Sequence, residues 1–183
     1  MIFITGYMAA GKTVLGKRLA HYLGLPFFDL DAYILAEASL SIQDLFVIKG
    51  EDHYRILERD LLRKLVATVP QDSVISMGGG TPCFHQNMEW LLKNGLTVFV
   101  EASMAQILRH LQLSPIGSRP LIAENNLFQK SNLVAHYANR VPFYEASHVK
   151  IPLKMAKNPD LLTKALILFT TTHPDLNYLH EFP

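Results

Sequence analysis

The chain has 183 residues, of which 49% are hydrophobic and 18% charged, and its net charge is +1 at neutral pH. This size and balance are typical of one globular domain, and the near-neutral charge gives no electrostatic footprint for nucleic acid or for an anionic membrane. Cys83 is the only cysteine, so neither an internal disulfide nor a cysteine-based zinc site can form. Every apolar run is much shorter than the roughly 18 residues that a membrane-spanning helix needs. We expect the protein to work in the reducing cytosol.

The first predicted element is a short buried strand at residues 2–5, which leads directly into Gly6-Tyr7-Met8-Ala9-Ala10-Gly11-Lys12-Thr13. This octet fits G-x-x-x-x-G-K-[ST], the pattern of a phosphate-binding loop. Backbone N–H groups of such a loop point at phosphate oxygens, and the helix that begins there adds the positive end of its dipole. The pattern predicts that Lys12 reaches the β- and γ-phosphates and that the Thr13 hydroxyl binds Mg²⁺. The alternative is a glycine-containing turn with an incidental lysine.

The next segments are mainly helical. Apolar residues recur at helical spacing over residues 12–23 and stop before Gly24 and Pro26, after which residues 27–29 form a second short strand. Further helices are predicted at residues 31–38, 41–47 and 50–69. This is more helical material than a plain crossover needs, so it indicates a small inserted subdomain at about residues 31–62.

The rest of the chain continues to alternate between strands and helices. The predicted strands are residues 73–77, 96–100 and 149–152, and the predicted helices are residues 84–93, 103–111 and 127–146, with a last one from Asn158-Pro159. Residues 113–126 hold two prolines and a glycine without periodicity, which is typical of a mobile loop. The alternation predicts an α/β fold of three layers, α/β/α, with a five-stranded parallel sheet that gathers ligands at the carboxyl ends of its strands.

Polar residues and glycines follow two of these strands. Asp29 and Asp31 are separated by one residue, which in an extended segment places both carboxylates on one side. One can assist Mg²⁺ through its water shell, and the other can accept a hydrogen bond from an acceptor hydroxyl. Alternatively, Asp31 is the N-cap of the next helix, which is compatible with catalysis. Gly78-Gly79-Gly80 either lets main-chain amides approach a ligand or forms a loose turn.

Three arginines are candidates for binding anions. Arg55 could pair with Glu51 and Glu58 on the surface of its helix, while Arg119 lies in the loop and Arg140 near a helix end. Each is, taken singly, expected to be a solvated charge. A planar guanidinium nevertheless binds carboxylate or phosphate in a bidentate way, and Arg119 could swing over a bound nucleotide and exclude water.

Several motifs occur in a set order along the chain. They are the phosphate loop with Gly16, Phe28-Asp29-Leu30-Asp31, Ile42-Gln43-Asp44-Leu45-Phe46, Gly50-Glu51-Asp52-His53-Tyr54-Arg55-Ile56-Leu57-Glu58, Gly78-Gly79-Gly80, Arg119-Pro120-Leu121 and Arg140-Val141-Pro142-Phe143-Tyr144. The phosphate loop alone is shared by many families, whereas the ordered set is far more specific. It resembles the shikimate kinases, small ATP-dependent enzymes of the nucleoside-monophosphate-kinase-like P-loop fold, from the first strand to Pro159.

The resemblance implies an enzyme that transfers the γ-phosphoryl group of ATP to the 3-hydroxyl of shikimate in aromatic amino acid (chorismate) biosynthesis. It also implies one kinase domain over residues 1–183 with a lid at about residues 112–126, which acts with Mg²⁺ as a cytosolic monomer and has no nucleic acid or membrane partner. The nucleotide-binding residues that it implies are Gly6, Met8, Ala9, Ala10, Gly11, Lys12, Thr13, Val14, Arg109, Arg119 and Pro159.

By the same resemblance, shikimate is held by Asp31, Arg55, Gly78, Gly79, Gly80 and Arg140. Lys12, Asp31 and Arg119 are the implied catalytic residues, with Asp31 as candidate base and the other two stabilising the transferring phosphoryl group. The resemblance also implies that Thr13 and Asp29 hold Mg²⁺, directly or through water, and that Arg109 and Pro159 sandwich the adenine.

The chain departs from the family pattern in two places. Ala9 stands where the family commonly has glycine, so a positive φ there would be strained. The interval from Arg109 to Arg119 is longer than usual and contains Ser114-Pro115-Ile116-Gly117-Ser118 in place of charged residues. Two alternatives stay open: a related kinase for gluconate or a nucleoside monophosphate, and a non-catalytic nucleotide-binding module of the same fold.

Overall fold

A five-stranded parallel sheet forms the centre of the protein, in a computed structural model that describes residues 1–113, 130–155 and 158. The strands are β1 (Ile2–Thr5), β2 (Phe27–Asp29), β3 (Val74–Ser76), β4 (Leu96–Glu101) and β5 (Val149–Pro152). Their order across the sheet is β2-β3-β1-β4-β5, and every neighbouring pair is parallel. The strand that leads into the phosphate loop is therefore central, and the loops after β2 and β3 open on the same edge.

Helices cover the sheet as the alternating pattern predicts. The described helices are α1 (Lys12–Leu23), α2 (Leu30–Ala38), α3 (Ile42–Lys49), α4 (Glu51–Thr68), α5 (Asn87–Asn94), α6 (Met104–Gln112) and α7 (Lys130–Glu145), with a 3₁₀ turn at Thr81–Cys83. The predicted three-layer α/β/α fold is confirmed. Within the described part of the chain, none of these helices has the length and apolar character needed to cross a membrane.

Both faces of the sheet are buried. On β1, Phe3 packs into one hydrophobic cluster with residues of the helices between β2 and β3, whereas Ile2 and Ile4 pack into a second cluster against α1. This division follows from the strand period of two, and it explains why β1 is apolar at every position rather than at alternate ones. The sheet is thus a rigid platform for the loops at its carboxyl edge.

Two boundaries differ from the sequence prediction. The helix predicted from Phe84 begins only at Asn87, because His85 and Gln86 have positive φ values of 49° and 55° and so form a turn. The buried Asn87 side chain donates a hydrogen bond to the Thr81 carbonyl at 2.9 Å, which fixes this turn against the 3₁₀ segment. Helix α2 begins at Leu30, one residue earlier than predicted.

Candidate functional site

A cleft of about 750 Å³ lies where the phosphate loop meets helices α2, α3, α4 and α7. From the phosphate loop and the start of α1 it is lined by Met8, Ala9, Gly11, Lys12, Thr13 and Val14. From the segments predicted to bind the acceptor it is lined by Asp29, Asp31, Arg55, Gly78, Gly79, Gly80 and Arg140. Residues that are distant in sequence and were assigned to two different ligands therefore face one cavity.

The phosphate loop has the backbone geometry that its sequence predicts. Gly11 has a φ of 89° and is the N-cap of α1, where no side chain accepts a hydrogen bond from the first amides of the helix. Those N–H groups and the helix dipole suit a bound anion. Ala9 has a φ of 58°, so the strain expected at this non-glycine residue is present. The Nδ1 of His110, on α6, donates a hydrogen bond to the Ala9 carbonyl at 2.7 Å and holds the strained residue.

Lysine, threonine and aspartate side chains converge at the start of α1. The buried Lys12 Nζ donates to the Tyr7 carbonyl at 2.9 Å, within the loop itself. The Thr13 hydroxyl donates to Asp29 Oδ2 at 2.8 Å. A hydroxyl and a carboxylate oxygen this close together are hard oxygen donors of the kind that Mg²⁺ prefers, so the residues present fit a magnesium ion.

Asp29, and not Asp31, caps helix α2. Its Oδ1 accepts hydrogen bonds from the backbone N–H groups of Asp31 and Ala32 at 3.1 and 3.3 Å. The alternative that assigned the cap to Asp31 is therefore wrong. The Asp31 side chain lies in the first turn of the helix and lines the cleft.

Burial, and after it the carboxylates of Glu58 and Asp29, raise the pKa of Asp31 to about 6, against the opposing effect of Lys12 and Arg55. Asp31 is thus ionised at pH 7 but holds a proton more strongly than an ordinary aspartate. A carboxylate with this property is suited to accept a proton from a hydroxyl.

Arg55 is buried, so its interpretation as a solvated surface charge is wrong. Only 3% of it is exposed, and its Nη1 donates to Glu58 Oε2 at 2.8 Å while its Nη2 contacts Glu51 Oε1 at 3.0 Å. Glu58 is 1% exposed, and its other oxygen accepts a hydrogen bond from the Thr81 hydroxyl at 2.7 Å. The Arg55 guanidinium carbon also lies 4.3 Å from the centroid of the Phe84 ring. This network fixes the guanidinium in one orientation.

Arg140 is also buried, with 8% exposure, although sequence position alone predicted a solvated charge. It projects from α7, and its guanidinium carbon lies 5.8 Å from the centroid of Phe84. Among the residues that the structure describes, Arg140 has no carboxylate within ion-pair distance, in contrast to Arg55. Arg140 lines the cleft, where its guanidinium can contact a bound ligand.

The glycine run after β3 allows these groups to approach one another. A Cβ at Gly78 would lie 2.7 Å from Asp31 Oδ1, and one at Gly80 would lie 2.6 Å from Arg55 Nη1. A Cβ at Gly79 would lie 3.0 Å from the backbone nitrogen of Met8 in the phosphate loop. At each of these positions a side chain would crowd a neighbouring atom, so the close packing favours glycine.

A family model described as shikimate kinase matches residues 8–169. The chain belongs to the shikimate kinase family. As a member, it is an ATP-dependent phosphotransferase that acts on a hydroxyl group of shikimate. This agrees with a cleft that joins a phosphate loop to buried arginines.

Named relatives support the assignment to the shikimate kinases. A shikimate kinase of Phocaeicola vulgatus is 40% identical over 150 residues, which cover 81% of this chain and 84% of the relative. The crystal structure of the Bacteroides thetaiotaomicron shikimate kinase is 33% identical, with a TM-score of 0.78 over 94% of this chain and 97% of that one. An Acinetobacter baumannii shikimate kinase solved in complex with shikimate is 29% identical, with a TM-score of 0.81 over 93% of each chain. A Sinorhizobium meliloti gluconokinase, 16% identical with a TM-score of 0.54, shares the fold alone.

Some residues predicted for this shikimate kinase site are not part of the described cleft lining. Arg119, Pro159 and most of the predicted lid are outside the described residues. Arg109 is exposed on α6 and is not part of the cleft lining. Gly6 and Ala10 belong to the phosphate loop but are buried behind its surface.

Sequence reasoning missed three contacts around the site. His110 bonds to Ala9, Tyr144 donates from its hydroxyl to the Gly79 carbonyl at 2.6 Å, and His136 bonds to the Tyr7 hydroxyl. Tyr144 closes the last of the ordered motifs, so its position in that motif was a usable signal. The two histidines carry no sequence signal, because each acts on a segment more than 100 residues away.

Proposed function

We propose that the cleft transfers the γ-phosphoryl group of ATP to the 3-hydroxyl of shikimate, with the residues around it in specific roles. The phosphates of ATP lie on the loop and the acceptor lies against Asp31, Arg55, Gly78–Gly80 and Arg140. The observation that supports this arrangement best is that the phosphate loop and two buried arginines face the same cavity. The buried guanidinium groups suit a carboxylate, which shikimate carries.

On the nucleotide side, the backbone amides at the start of α1 and Lys12 bind the phosphates. Because phosphoryl transfer depends mainly on positioning and charge neutralisation, Lys12 stabilises the charge on the transferring group. Thr13 and Asp29 hold the magnesium ion, which when bound supplies further neutralisation of the phosphate oxygens.

On the acceptor side, the arginines bind the carboxylate and orient the ring so that the reacting hydroxyl faces the phosphates. The hydroxyl oxygen forms a bond to the γ-phosphorus as the bond from that phosphorus to the bridging oxygen of ADP breaks. The proton of the hydroxyl passes to Asp31, whose raised pKa of about 6 makes it a better base than an ordinary aspartate.

The remaining assignments are predictions from sequence. Arg119 stabilises the transferring phosphoryl group from a lid over about residues 112–126, and Arg109 and Pro159 flank the adenine. The single domain uses about residues 31–62 for the acceptor, and the enzyme works in the cytosol as a monomer without nucleic acid or membrane partners. Size-exclusion chromatography with light scattering tests the monomer.

An ADP-release assay with a panel of acceptors tests the proposed function. With Mg·ATP we expect turnover with shikimate and only background with gluconate, with nucleoside monophosphates and without acceptor. Identification of shikimate 3-phosphate by phosphorus NMR tests which hydroxyl reacts. Phosphorylation of another hydroxyl, or faster turnover with gluconate, would contradict the proposal, and tight ATP binding without transfer would indicate the non-catalytic module.

A further inference from the structure

One face of α7 contacts both halves of the cleft. His136, Arg140 and Tyr144 are four residues apart, so they lie one above another along the helix. Of the three, His136 contacts the phosphate loop, Arg140 lines the cleft, and Tyr144 contacts the glycine run. Arg140 is thus placed between two points at which α7 is fixed to other parts of the site.

Each of these two contacts is a hydrogen bond of a buried tyrosine hydroxyl. Tyr7, in the phosphate loop, bonds to His136 Nδ1 at 2.5 Å, and Tyr144 donates to the Gly79 carbonyl at 2.6 Å. Tyr7 is 1% exposed, so its hydroxyl is sealed from water, and an unpaired buried hydroxyl would be costly. His136 Nδ1 is the partner that the structure gives it within the described residues, and Tyr7 donates to it.

The charge states of the pair favour a neutral hydrogen bond. Burial, and after it the charges of Arg140 and Arg55, lower the pKa of His136 to about 4, against the opposing effect of Glu51. Burial also raises the pKa of Tyr7 to about 12. At neutral pH an uncharged imidazole therefore accepts from a protonated phenol, and the bond persists beside two arginines.

Tyr7 also contacts the residue that we place on the phosphates. Its backbone carbonyl accepts a hydrogen bond from Lys12 Nζ at 2.9 Å, while its side chain reaches α7. A continuous set of contacts therefore runs from Lys12 through Tyr7 and His136 to the helix that carries Arg140. A change at the phosphates has a direct route to the acceptor side.

We propose that the Tyr7–His136 hydrogen bond is a positioning contact that sets Arg140 relative to the phosphate loop and so couples nucleotide binding to capture of the acceptor carboxylate. Neither residue touches the reacting atoms. The proposal rests on the proposed role of Arg140 in binding that carboxylate. It assigns to this pair of residues a function that packing alone does not require.

The substitution Tyr7→Phe isolates the hydrogen bond from the packing. The Tyr7 ring contacts Tyr137 edge-on, with centroids 5.1 Å apart, and phenylalanine keeps that ring while it removes the hydroxyl. His136→Leu removes the acceptor, whereas His136→Asn retains an acceptor oxygen close to the Nδ1 position. Tyr137→Phe is the matched control, because it deletes a hydroxyl from the adjacent ring and leaves the bond in place.

Calorimetric titration of shikimate, with and without saturating ADP, measures the coupling. In the natural protein and in Tyr137→Phe we expect ADP to tighten shikimate binding. In Tyr7→Phe and His136→Leu we expect the ratio of the shikimate dissociation constants without and with ADP to fall towards one. KM for shikimate should rise about five- to tenfold, as the loss of one buried hydrogen bond predicts, and KM for ATP should stay within about twofold. His136→Asn should restore most of the ratio.

A purely structural role predicts a different result. Tyr7→Phe and His136→Leu would then lower the melting temperature and change both KM values equally, with the ADP effect unaltered, and this result would overturn the proposal. A natural protein in which ADP has no effect on shikimate affinity would also overturn it. If Arg140→Ala leaves KM for shikimate unchanged, the proposed acceptor site itself is wrong, whereas a large effect of Arg140→Ala without one of Tyr7→Phe rejects this inference alone.

Discussion

Asp31→Asn should make the protein more stable at high pH while it abolishes turnover. In the folded protein the pKa of Asp31 is raised from 3.8 to about 6, mainly by burial, so its ionised form is disfavoured there relative to the unfolded chain. The unfolded state therefore loses this proton first as the pH rises. The contribution of Asp31 to the free energy of unfolding therefore falls between about pH 4 and about pH 6. Above pH 6 the destabilisation by ionised Asp31 is constant.

The size of this cost follows from the shift. Each pKa unit corresponds to about 1.36 kcal/mol, so a shift of roughly two units amounts to about 3 kcal/mol for the ionised group. This figure already includes the opposing attraction of Lys12 and Arg55. Because asparagine has a similar shape and no charge to desolvate, we expect a net gain of about 2–3 kcal/mol at pH 8. For a protein of this length that corresponds to a melting temperature raised by about 5 °C.

Urea unfolding between pH 4 and pH 8 measures this effect. The difference in unfolding free energy between Asp31→Asn and the natural protein should grow by about 2 kcal/mol over that range. Asp60→Asn, an exposed carboxylate on α4, is the control and should change little. Curves for Asp31→Asn and the natural protein that stay parallel from pH 4 to pH 8 would refute the reasoning. The activity of the natural protein should in addition fall as the pH drops through about 6, because Asp31, the proposed base, becomes protonated.

Three further predictions concern the phosphate loop and the acceptor arginine. Lys12→Ala should lower kcat in the ADP-release assay at least about a hundredfold with the melting temperature nearly unchanged, and a retained kcat would remove Lys12 from the mechanism. Arg140→Ala should raise KM for shikimate about a hundredfold and KM for ATP far less, while the control Arg59→Ala, at a half-buried arginine on α4 outside the cleft lining, changes neither; equal effects on both substrates would argue against a carboxylate contact. Ala9→Gly should raise the unfolding free energy by about 0.5–1 kcal/mol in urea titrations by relieving the positive φ, and a loss of stability would mean that His110 already relieves the strain.

The sequence predicts well those features that depend on neighbouring residues. The strands, the order of the helices and the phosphate loop all follow from local periodicity, caps and glycine spacing. The strain at Ala9 was also predictable, because the motif itself requires the backbone shape and the residue type is visible. These features depend on segments of about ten residues, within which sequence patterns are informative.

Features that depend on tertiary contacts were not predictable from the chain. The start of α5 is set by the Asn87 side chain and the positive φ of His85, neither of which changes the helical periodicity of the segment. Helix α2 is capped by Asp29, and the other carboxylate oxygen of Asp29 accepts a hydrogen bond from Thr13 on α1. The spacing of Asp29 and Asp31 in the sequence does not reveal this contact, so it could not show which of the two caps the helix.

The burial of Arg55 and Arg140 is the most important feature that the sequence did not predict. The two buried arginines differ in their ion pairs, which suggests different roles in binding the acceptor. Arg55 already has its charge balanced by Glu51 and Glu58, so it can donate hydrogen bonds to an acceptor but adds little net positive charge. Arg140 has no such ion pair among the described residues. Since none of the described carboxylates pairs with Arg140, we expect the carboxylate of the acceptor to gain more binding energy from Arg140 than from Arg55, whose charge two glutamates already balance. In the proposed arrangement Arg55 orients the acceptor, and Asp31 lies in the same cleft.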